Sequence, residues 1–456
     1  MRRCRSSGHR GDHVHKRKIA ARVILAIAIA LVPAAVHAAS LSGAEPQAIK
    51  ESALERHPSL EAVQAYASAH NPEIRAARQA WLASRQNVTL DRSYADPSVT
   101  YMPDTYNMAE TRAGPQTNGF GVSQAIPFPG KLTLKGRIAE QRARAALENL
   151  RAVEQEIARR VWTRYADYYY AERALEVNAE TTVLARLFES IAQAKYRVGK
   201  VSAQDVIEAQ EQLSLLAAQR IDFEKARNVA LGALNALLDR PARAKIGPPR
   251  EMGVGQAAAT LDALVAEARI ARPELKAQDH LVDAREQSVK LAKMGYLPDF
   301  SVGGQYIGIG NQGVRGFNKD GHDIWMATLG FSVPIWLDRV KAGVDQAGAQ
   351  LLEQKYARRN VEDTVADEVQ SAYERLRASA ARERIYRTTL MPQTAQRIAA
   401  AQAGYQAGIV DFLTLIDSLK AYENARLLRY RAVLDYQAAA ADLFRAVGRP
   451  VAGVVK

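Results

Sequence analysis

Cysteine is nearly absent from this chain of 456 residues. The single one, Cys4, lies close to the start, so no disulfide can form within the chain. No later cysteine offers a thiol nucleophile or a lipid-attachment site. Histidines are also scarce, and after residue 40 only His57, His70, His280 and His322 occur, each standing alone. The sequence therefore predicts no metal centre and no cofactor site.

Long apolar runs are absent too, because no stretch of 18 apolar residues follows residue 40. Residues 1–38 carry eight basic side chains and one acidic side chain, an apolar run at 23–32, and small residues up to Ala38. This pattern predicts a secretory signal peptide that is cleaved before Ala39. Removing its surplus of +7 from the net charge of +13 leaves about +6 without a basic block, so no nucleic-acid partner is expected. An exported chain without apolar helices can enter a membrane only as β-strands.

The chain contains two similar halves. Residues 59–97 return as residues 260–298 at a constant offset of 201, with Pro72 and Pro273 among the identical pairs. A second correspondence joins the Tyr-x-x-Gly sequences at 196–199 and 405–408. A copy of nearly 200 residues far exceeds the periods of solenoid repeats. It predicts two similar structural halves around a pseudo-symmetry axis, an arrangement suited to enclosing a central space.

Glycine and proline are missing from residues 137–198, which are rich in alanine, leucine, arginine and glutamate. One helix of that length would extend for roughly 90 Å, far beyond the usual globular helix. The copy of this helix in the second half spans about 341–406, where Pro392 predicts a kink. Each long helix ends at a glycine, and a partner helix follows at 202–238 or 411–446. Both halves therefore predict long antiparallel helical hairpins, a pattern that a purely structural coiled coil would also show.

Strict alternation of residue types marks two segments of the second half, 298–308 and 324–333. Aromatic and aliphatic residues alternate there with small or polar residues, as in transmembrane β-barrels. The first half has weaker versions around 98–102 and 120–123, and polar loops separate the paired strands. Four strands cannot close a barrel, and open edges in lipid leave backbone groups unpaired. The chain is therefore expected to oligomerise, and strand counting leaves both a dimer and a trimer open.

These patterns predict a mainly α-helical fold with membrane β-strands, built from two tandem repeats. The predicted boundaries are a signal peptide at 1–38, an N-terminal segment at 39–54, a first repeat at 55–245 (helices 59–95, β-hairpin 97–127, long helical hairpin 131–240), a linker at 246–258, a second repeat at 259–448 (helices 260–296, β-hairpin 298–336, long helical hairpin 340–447) and a C-terminal tail at 449–456.

The order of these elements resembles the TolC-like outer-membrane efflux family over nearly all of residues 55–448. The most specific similarities are Asn71-Pro72-Glu73, Arg272-Pro273-Glu274 and the two tip motifs, 196–205 and 405–415. The resemblance implies a homotrimer with a 12-stranded β-barrel in the outer membrane of a Gram-negative bacterium and a 12-helix periplasmic α-barrel. It implies a passive duct, not an enzyme, that contacts outer-membrane lipids, a periplasmic adaptor and an inner-membrane pump of the resistance-nodulation-division (RND) type.

The resemblance also assigns roles to individual residues. The helix-hairpin tips would contact the adaptor and form the closed end, which opens by an iris-like movement of the second hairpin. Family members ring this constriction with two aspartates three residues apart, and here the second position is Asp417 whereas the first is Thr414. The candidate residues are Tyr196, Arg197, Gly199, Lys200, Tyr405 and Gly408 for the adaptor contact, Asp417, Thr414 and Asp411 for the constriction, Asp205 and Glu208 as acids of the first tip, and Tyr101, Phe120, Tyr306, Trp325, Phe331 and Trp336 for an aromatic girdle.

The cargo is the least determined feature. Residues 124–131 resemble the strand-to-helix junction of the CzcC- and CusC-like heavy-metal branch, which favours metal cations. Efflux of drugs or organic solutes and type I protein secretion are the alternatives. A periplasmic adaptor is disfavoured because it would carry one helical hairpin rather than two. The Gly-x-Gly-x-x-Gly pattern at 308–313 lacks the following helix that a dinucleotide site requires.

Overall fold

The computed structural model describes residues 51–103, 110–111, 114–255, 259–310, 321–451 and 453. The predicted signal peptide lies outside the described residues, as do most of the N-terminal segment and parts of the two polar loops between strands. All statements below concern the described ranges.

The first repeat begins with a 3₁₀ turn at Glu51–Leu54 and continues with two shorter helices, a β-hairpin and a long helical hairpin. Its elements are α1 (Leu60–His70), α2 (Pro72–Arg92), β1 (Ser98–Met102), β2 (Glu110–Thr111), β3 (Gly114–Ile126), α3 (Lys131–Arg197) and α4 (Ala203–Leu237).

The second repeat has the same order of elements. They are α5 (Leu261–Ala271), α6 (Pro273–Lys293), a 3₁₀ turn (Met294–Tyr296), β4 (Phe300–Ile309), β5 (Ile324–Phe331), α7 (Leu337–Ile385), a π-helical segment (Tyr386–Leu390), α8 (Met391–Ala407) and α9 (Phe412–Val447). The predicted fold class of two tandem repeats, each with two long helices and a β-hairpin, is confirmed.

The helices begin where local chemistry favours it. Ser59 and Thr260 accept hydrogen bonds from amides at 62 and 263, and Asn71 accepts from two amides of α2. These side chains pair the amides that a helix leaves unpaired at its start. Pro72 and Pro273 occupy the first helical position, where the missing N–H costs nothing.

In the part of the chain that the structure describes, no helix has the length and apolar character needed to cross a bilayer.

Asn71 and its repeat counterpart Arg272 each contact the end of a long helix. The Asn71 amide donates to the carbonyl of Leu237 at 2.9 Å, at the end of α4. The Arg272 guanidinium donates to the carbonyl of Arg445 at 3.0 Å, in the last turns of α9. In each repeat the corner between the two short helices is therefore tied to the end of the returning long helix.

The strands form one antiparallel sheet in the order β1-β3-β4-β5, with β2 on the end of β3. The β3–β4 pairing joins the two repeats, since Phe120 pairs with Tyr306 and Ile126 with Phe300. The sequence predicted two hairpins but not their union into a single sheet. Among the described strands, β1 and β5 each pair on one side only, so the sheet has two open edges.

The predicted alternation is visible in the sheet register. Tyr101, Phe120, Tyr306 and Trp325 are successive partners across all four strands and form one continuous aromatic row. Ring centroids lie 4.8 Å apart between the first two and 4.9 Å apart between the last two. The neighbouring positions on the opposite face are mostly glycine, glutamine, methionine and threonine, but Ile307 and Ile324 also lie there. One face is thus exposed and apolar, and the other is mainly small or polar.

Two apolar cores hold the helices together. The central core includes Trp162 and Tyr165 of α3, Val369 of α7 and Tyr436 of α9. The tip core is separate and lies near the turns of the helical hairpins, where Phe188 and Leu216 of the first repeat meet Ile398, Phe412 and Leu419 of the second. Because residues of both repeats enter each core, neither helical hairpin is buried by its own repeat alone.

We expect arginine at Leu329 to impair membrane insertion, and arginine at Thr328 to be tolerated. Leu329 is 84% exposed on the apolar face, whereas the side chain of Thr328 alternates to the small or polar face. A cation facing lipid near mid-strand costs about 2–4 kcal/mol. Heat-resistant protein in the outer-membrane fraction measures insertion. Equal loss with Leu329→Arg and Thr328→Arg would contradict the assignment of faces.

Candidate functional site

The tips of the two helical hairpins form the same turn. Gly199 ends α3 with a φ of +70°, and Gly408 ends α8 with a φ of +80°. These left-handed conformations favour glycine because it has no Cβ. In both turns the next amide, of Lys200 or Ile409, donates to the carbonyl five residues back at 2.9 or 2.8 Å. This hydrogen bond is typical of a helix that ends in a Schellman turn.

A side-chain cap starts each return helix. Ser202 accepts from the amide of Gln204 at 3.2 Å, and Asp411 accepts from the amide of Thr414 at 2.8 Å. Hydrogen bonds from Thr414 lower the pKa of the Asp411 carboxyl below its usual value. The carboxylate of Asp411, a predicted constriction residue, therefore serves as a helix cap in this structure.

One cluster joins the tips of the two repeats, and we call Tyr405, Asp205 and Lys195 the latch. The Tyr405 hydroxyl on α8 donates to Oδ2 of Asp205 on α4 at 3.0 Å. Lys195 of α3 lies 4.4 Å from the centre of the Tyr405 ring and donates to its backbone carbonyl. On the other side, the Phe412 ring centre is 5.2 Å from that of Tyr405. Both repeats thus hold one buried ring by hydrogen bonding, cation–π attraction and aromatic packing.

The burial of Tyr405 revises its predicted role. Tyr405 is only 2% exposed. Burial is the main cause that raises the pKa of its hydroxyl, and the adjacent carboxylate of Asp205 raises it further. The side chain therefore lies inside the tip, where it cannot meet an adaptor while the latch is formed. Asp205, predicted as a tip acid, is the acceptor of that hydroxyl. The repeat could not predict this pairing, because Tyr196, the counterpart of Tyr405 in the first repeat, is 50% exposed.

The other predicted contact residues lie on the surface. Tyr196, Arg197, Gly199, Lys200 and Gly408 are all exposed. Two aliphatic side chains beside them, Val198 and Ile409, are exposed as well, the latter by 81%. The tip therefore presents a mixed apolar and basic surface that the sequence analysis recognised only through its motif residues.

The acids behind the tips follow the repeat. Glu208 stands nine residues after Gly199, and Asp417 stands nine residues after Gly408. The structure brings these equivalent positions near each other. Partial burial raises the pKa of Glu208, and the negative charges of Asp205, Glu211 and Asp417 raise it further, against an opposing effect of Lys420. Asp417 and Thr414 are both exposed on α9. The sequence analysis identified Glu208 as the first-repeat equivalent of Asp417 from this spacing after the tip glycine, but it could not show that the two positions lie close together.

The six predicted girdle residues fall into two levels of the sheet. Tyr101, Phe120, Tyr306 and Trp325 form the aromatic row at one level. Phe331 is paired with Phe300 at the other end of β4 and β5, and Trp336 follows just before α7. Trp325, Phe331 and Trp336 are each more than 70% exposed. Two separated aromatic levels are the arrangement found at the two interfaces of a membrane-spanning sheet.

The described residues include no grouped metal ligands and only the first three residues of the glycine-rich pattern. Within the described ranges, no three histidine, cysteine or acidic side chains are grouped so that they could hold a metal ion. Strand β4 ends at Ile309, inside the glycine-rich pattern at 308–313, and the last three residues of that pattern lie outside the described residues.

Long paired helical hairpins beside a sheet with an exposed apolar face are typical of outer-membrane channel proteins. The model of the outer membrane efflux protein family matches residues 50–240 and 264–449, which is well over half of the chain. The chain belongs to this family, and both of its repeats are covered by the match. This membership places the protein in the outer membrane as an efflux channel.

Individual relatives agree with this assignment. Outer membrane protein TolC of Vibrio cholerae is 22% identical over 382 residues, covering 80% of this chain and 85% of that protein. The structure of CusC has a TM-score of 0.73 and 16% identity, covering 86% of this chain and 92% of that one. VceC of Vibrio cholerae has a TM-score of 0.71 at 16% identity, covering 86% and 96%. At these identities the structural likeness shows the shared fold.

We expect Glu208 and Asp417 to make the channel cation-selective in a pH-dependent way. Reversal potentials in planar bilayers under a salt gradient measure this selectivity. Because its pKa is raised, Glu208 should lose its charge at a higher pH than an ordinary glutamate as the solution is acidified. Glu208→Gln should lower selectivity at neutral pH and remove this early part of its pH dependence, whereas Glu211→Gln should change less. Unchanged selectivity in the double variant Glu208→Gln/Asp417→Asn would contradict this role.

Proposed function

We propose that three copies of the chain form one passive exit duct, with a 12-stranded barrel in the outer membrane and a 12-helix tunnel in the periplasm. The observation that carries this proposal is the four-stranded sheet with open edges at β1 and β5 and an exposed apolar face. In lipid, each unpaired backbone group costs several kcal/mol, so the edges require partners. Pairing β1 of one copy with β5 of the next satisfies them, and family membership favours three copies over two.

The tip supports the proposed partners. Exposed Val198 and Ile409 supply apolar area, and Arg197 and Lys200 supply positive charge around it. We assign this surface to a periplasmic adaptor protein, which connects the duct to an RND-type inner-membrane pump. The pump supplies the energy, and the duct itself performs no chemistry.

The latch supports a gating role for the second hairpin. Tyr405 and Phe412 belong to this hairpin, whereas Asp205 and Lys195 belong to the first. When the Tyr405 hydroxyl is bonded to Asp205, the two tips are held together and the constriction stays narrow. Opening requires that this bond break, so that the second hairpin can move outward from the axis.

We expect Tyr405→Phe to raise the open probability and conductance of the purified channel in bilayers. The substitution removes one hydrogen bond to a charged acceptor, which contributes about 1.5–3 kcal/mol, and keeps the ring packing. Tyr196→Phe is the matched control, because it makes the same change at the equivalent position of the first repeat. Equal conductance of Tyr405→Phe and wild type would contradict the gating role of the latch.

Heavy-metal cations are the proposed cargo. The junction at 124–131 supports this assignment through its resemblance to the heavy-metal branch, and the paired acids Glu208 and Asp417 favour passage of cations. Efflux of drugs or organic compounds is the alternative, followed by type I protein secretion.

We expect deletion of the protein to sensitise cells to copper, silver, zinc, cobalt or cadmium salts. The deletion strain is complemented with wild type, Asp417→Ala or the control Asp411→Asn, and is also tested with dyes, detergents and antibiotics. Asp417→Ala should restore metal resistance incompletely, because a cation-attracting carboxylate is lost. Sensitisation to organic compounds alone would contradict the metal assignment and leave the channel function intact.

A further inference from the structure

Along the long helices of the two repeats, the offset between corresponding residues changes by one. At the level of the central core, Ala158, Val161 and Tyr165 correspond to residues 208 positions later, namely Ala366, Val369 and Tyr373. Near the tip, the sequence Ala-Gln-Ala-x-Tyr at 192–196 returns at 401–405, which is an offset of 209. The second repeat therefore contains one extra residue between Tyr373 and Ala401.

The extra residue coincides with an irregular helical turn. α3 runs without interruption for 67 residues, whereas its counterpart is divided by the five-residue π-helical segment Tyr386–Leu390. A π-turn accommodates a single inserted residue while the helix on either side keeps its facing. The buried positions agree, since Ala171 matches Ser379 at the first offset and Ala185 matches Thr394 at the second. Pro392 adds to the interruption, because it has no N–H to donate to the preceding turn.

The π-helical segment is held less firmly than the helices around it. None of its five residues is buried. Thr388 donates to the carbonyl of Arg384 at 2.8 Å, and Thr394 donates to that of Leu390 at 3.0 Å. Its main side-chain tie is Glu383, whose carboxylate lies 3.2 Å from Arg387 in the segment and 3.4 Å from Arg429 on α9.

The helices packed at the same level carry buried polar side chains. Arg429 of α9 contacts Glu383, just before the π-helical segment, and Ser418 of α9 contacts Arg397, just after it. Glu423 lies between these two positions of α9 and is therefore at the level of the segment. The layer between the central core and the tip core contains six buried polar residues, Asn178, Thr181, Gln212, Ser379, Glu383 and Glu423. One side-chain oxygen each of Gln212 and Glu423 has no hydrogen-bond partner. A change of packing at this level would break no hydrogen bond to either of these two oxygens.

We infer that the π-helical segment 386–390 and the polar layer form a hinge, on which the tip half of the second repeat swings while α7 stays fixed in the central core. The inference rests on the proposed gating of the channel and adds the site of bending. The first repeat lacks the extra residue, which explains why the second hairpin is the one that moves. The latch holds the far end of the moving part, and Glu383 holds the near end to α9.

Hydrogen exchange tests the hinge without reference to transport. Amides at 386–394 of the wild-type protein should exchange at least about tenfold faster than those of the repeat counterpart at 178–185, because local opening precedes exchange. Equal protection of the two segments would overturn the hinge.

A channel measurement tests its function. Deletion of Thr389 combined with Pro392→Ala restores an uninterrupted helix with the first-repeat spacing, and Pro392→Ala alone is the control that keeps the extra residue. Tyr405→Phe should raise conductance in the control background, and this increase should be lost in the deletion background. An equal increase in both backgrounds overturns the hinge but leaves the gate standing.

Different results would reject the proposed gate and the proposed hinge. No increase from Tyr405→Phe in an otherwise wild-type channel would reject the proposed gate, and the exchange comparison would then decide whether the segment bends. Trimer formation by size exclusion establishes that the deletion variant has folded. If it does not fold, the exchange comparison decides the hinge by itself.

Discussion

Backbone hydrogen bonding within a lipid bilayer is the constraint on which the rest of this structure depends. A four-stranded sheet has an unpaired edge on β1 and another on β5, and lipid offers those groups no partner. The proposed trimer meets this requirement and places the helical hairpins of the three copies around a common axis. In that trimer the tip contacts between repeats surround an opening, and the hydrogen bond of Tyr405 is the proposed gate.

Duplication supplied two copies of each element, and the structure uses the copies differently. Asn71 and Arg272 make the same tie to a returning helix, one with a neutral amide and the other with a charge. Tyr196 is exposed, whereas its counterpart Tyr405 is buried against the other repeat. Both halves keep a proline at the first position of the second short helix and a glycine at the tip. The two halves therefore share these turns, and they differ at the tips, where the proposed gating moves one hairpin.

Much of the fold could be predicted because its signals are local. Alternation along β4 and β5, the absence of glycine and proline from residues 137–198, and the glycines at the tips each act within a few residues. The union of β3 with β4 was not predictable in this way, since it joins strands almost 200 residues apart. The same holds for the bond between Tyr405 and Asp205, which depends on how two hairpins pack. The tip acids were identified by position, but only the packing of α4 beside α9 shows which of them face one another.

The aromatic row across the four strands has a consequence for the dimensions of the cell envelope. Tyr101, Phe120, Tyr306 and Trp325 lie at one level, and aromatic residues at a membrane interface resist displacement along the membrane normal. The 67 residues of α3 then extend for about 100 Å from a fixed starting depth. Neither quantity can adapt to the local spacing of the two membranes. In the proposed assembly, any variation in periplasmic width is therefore left to the adaptor and the pump.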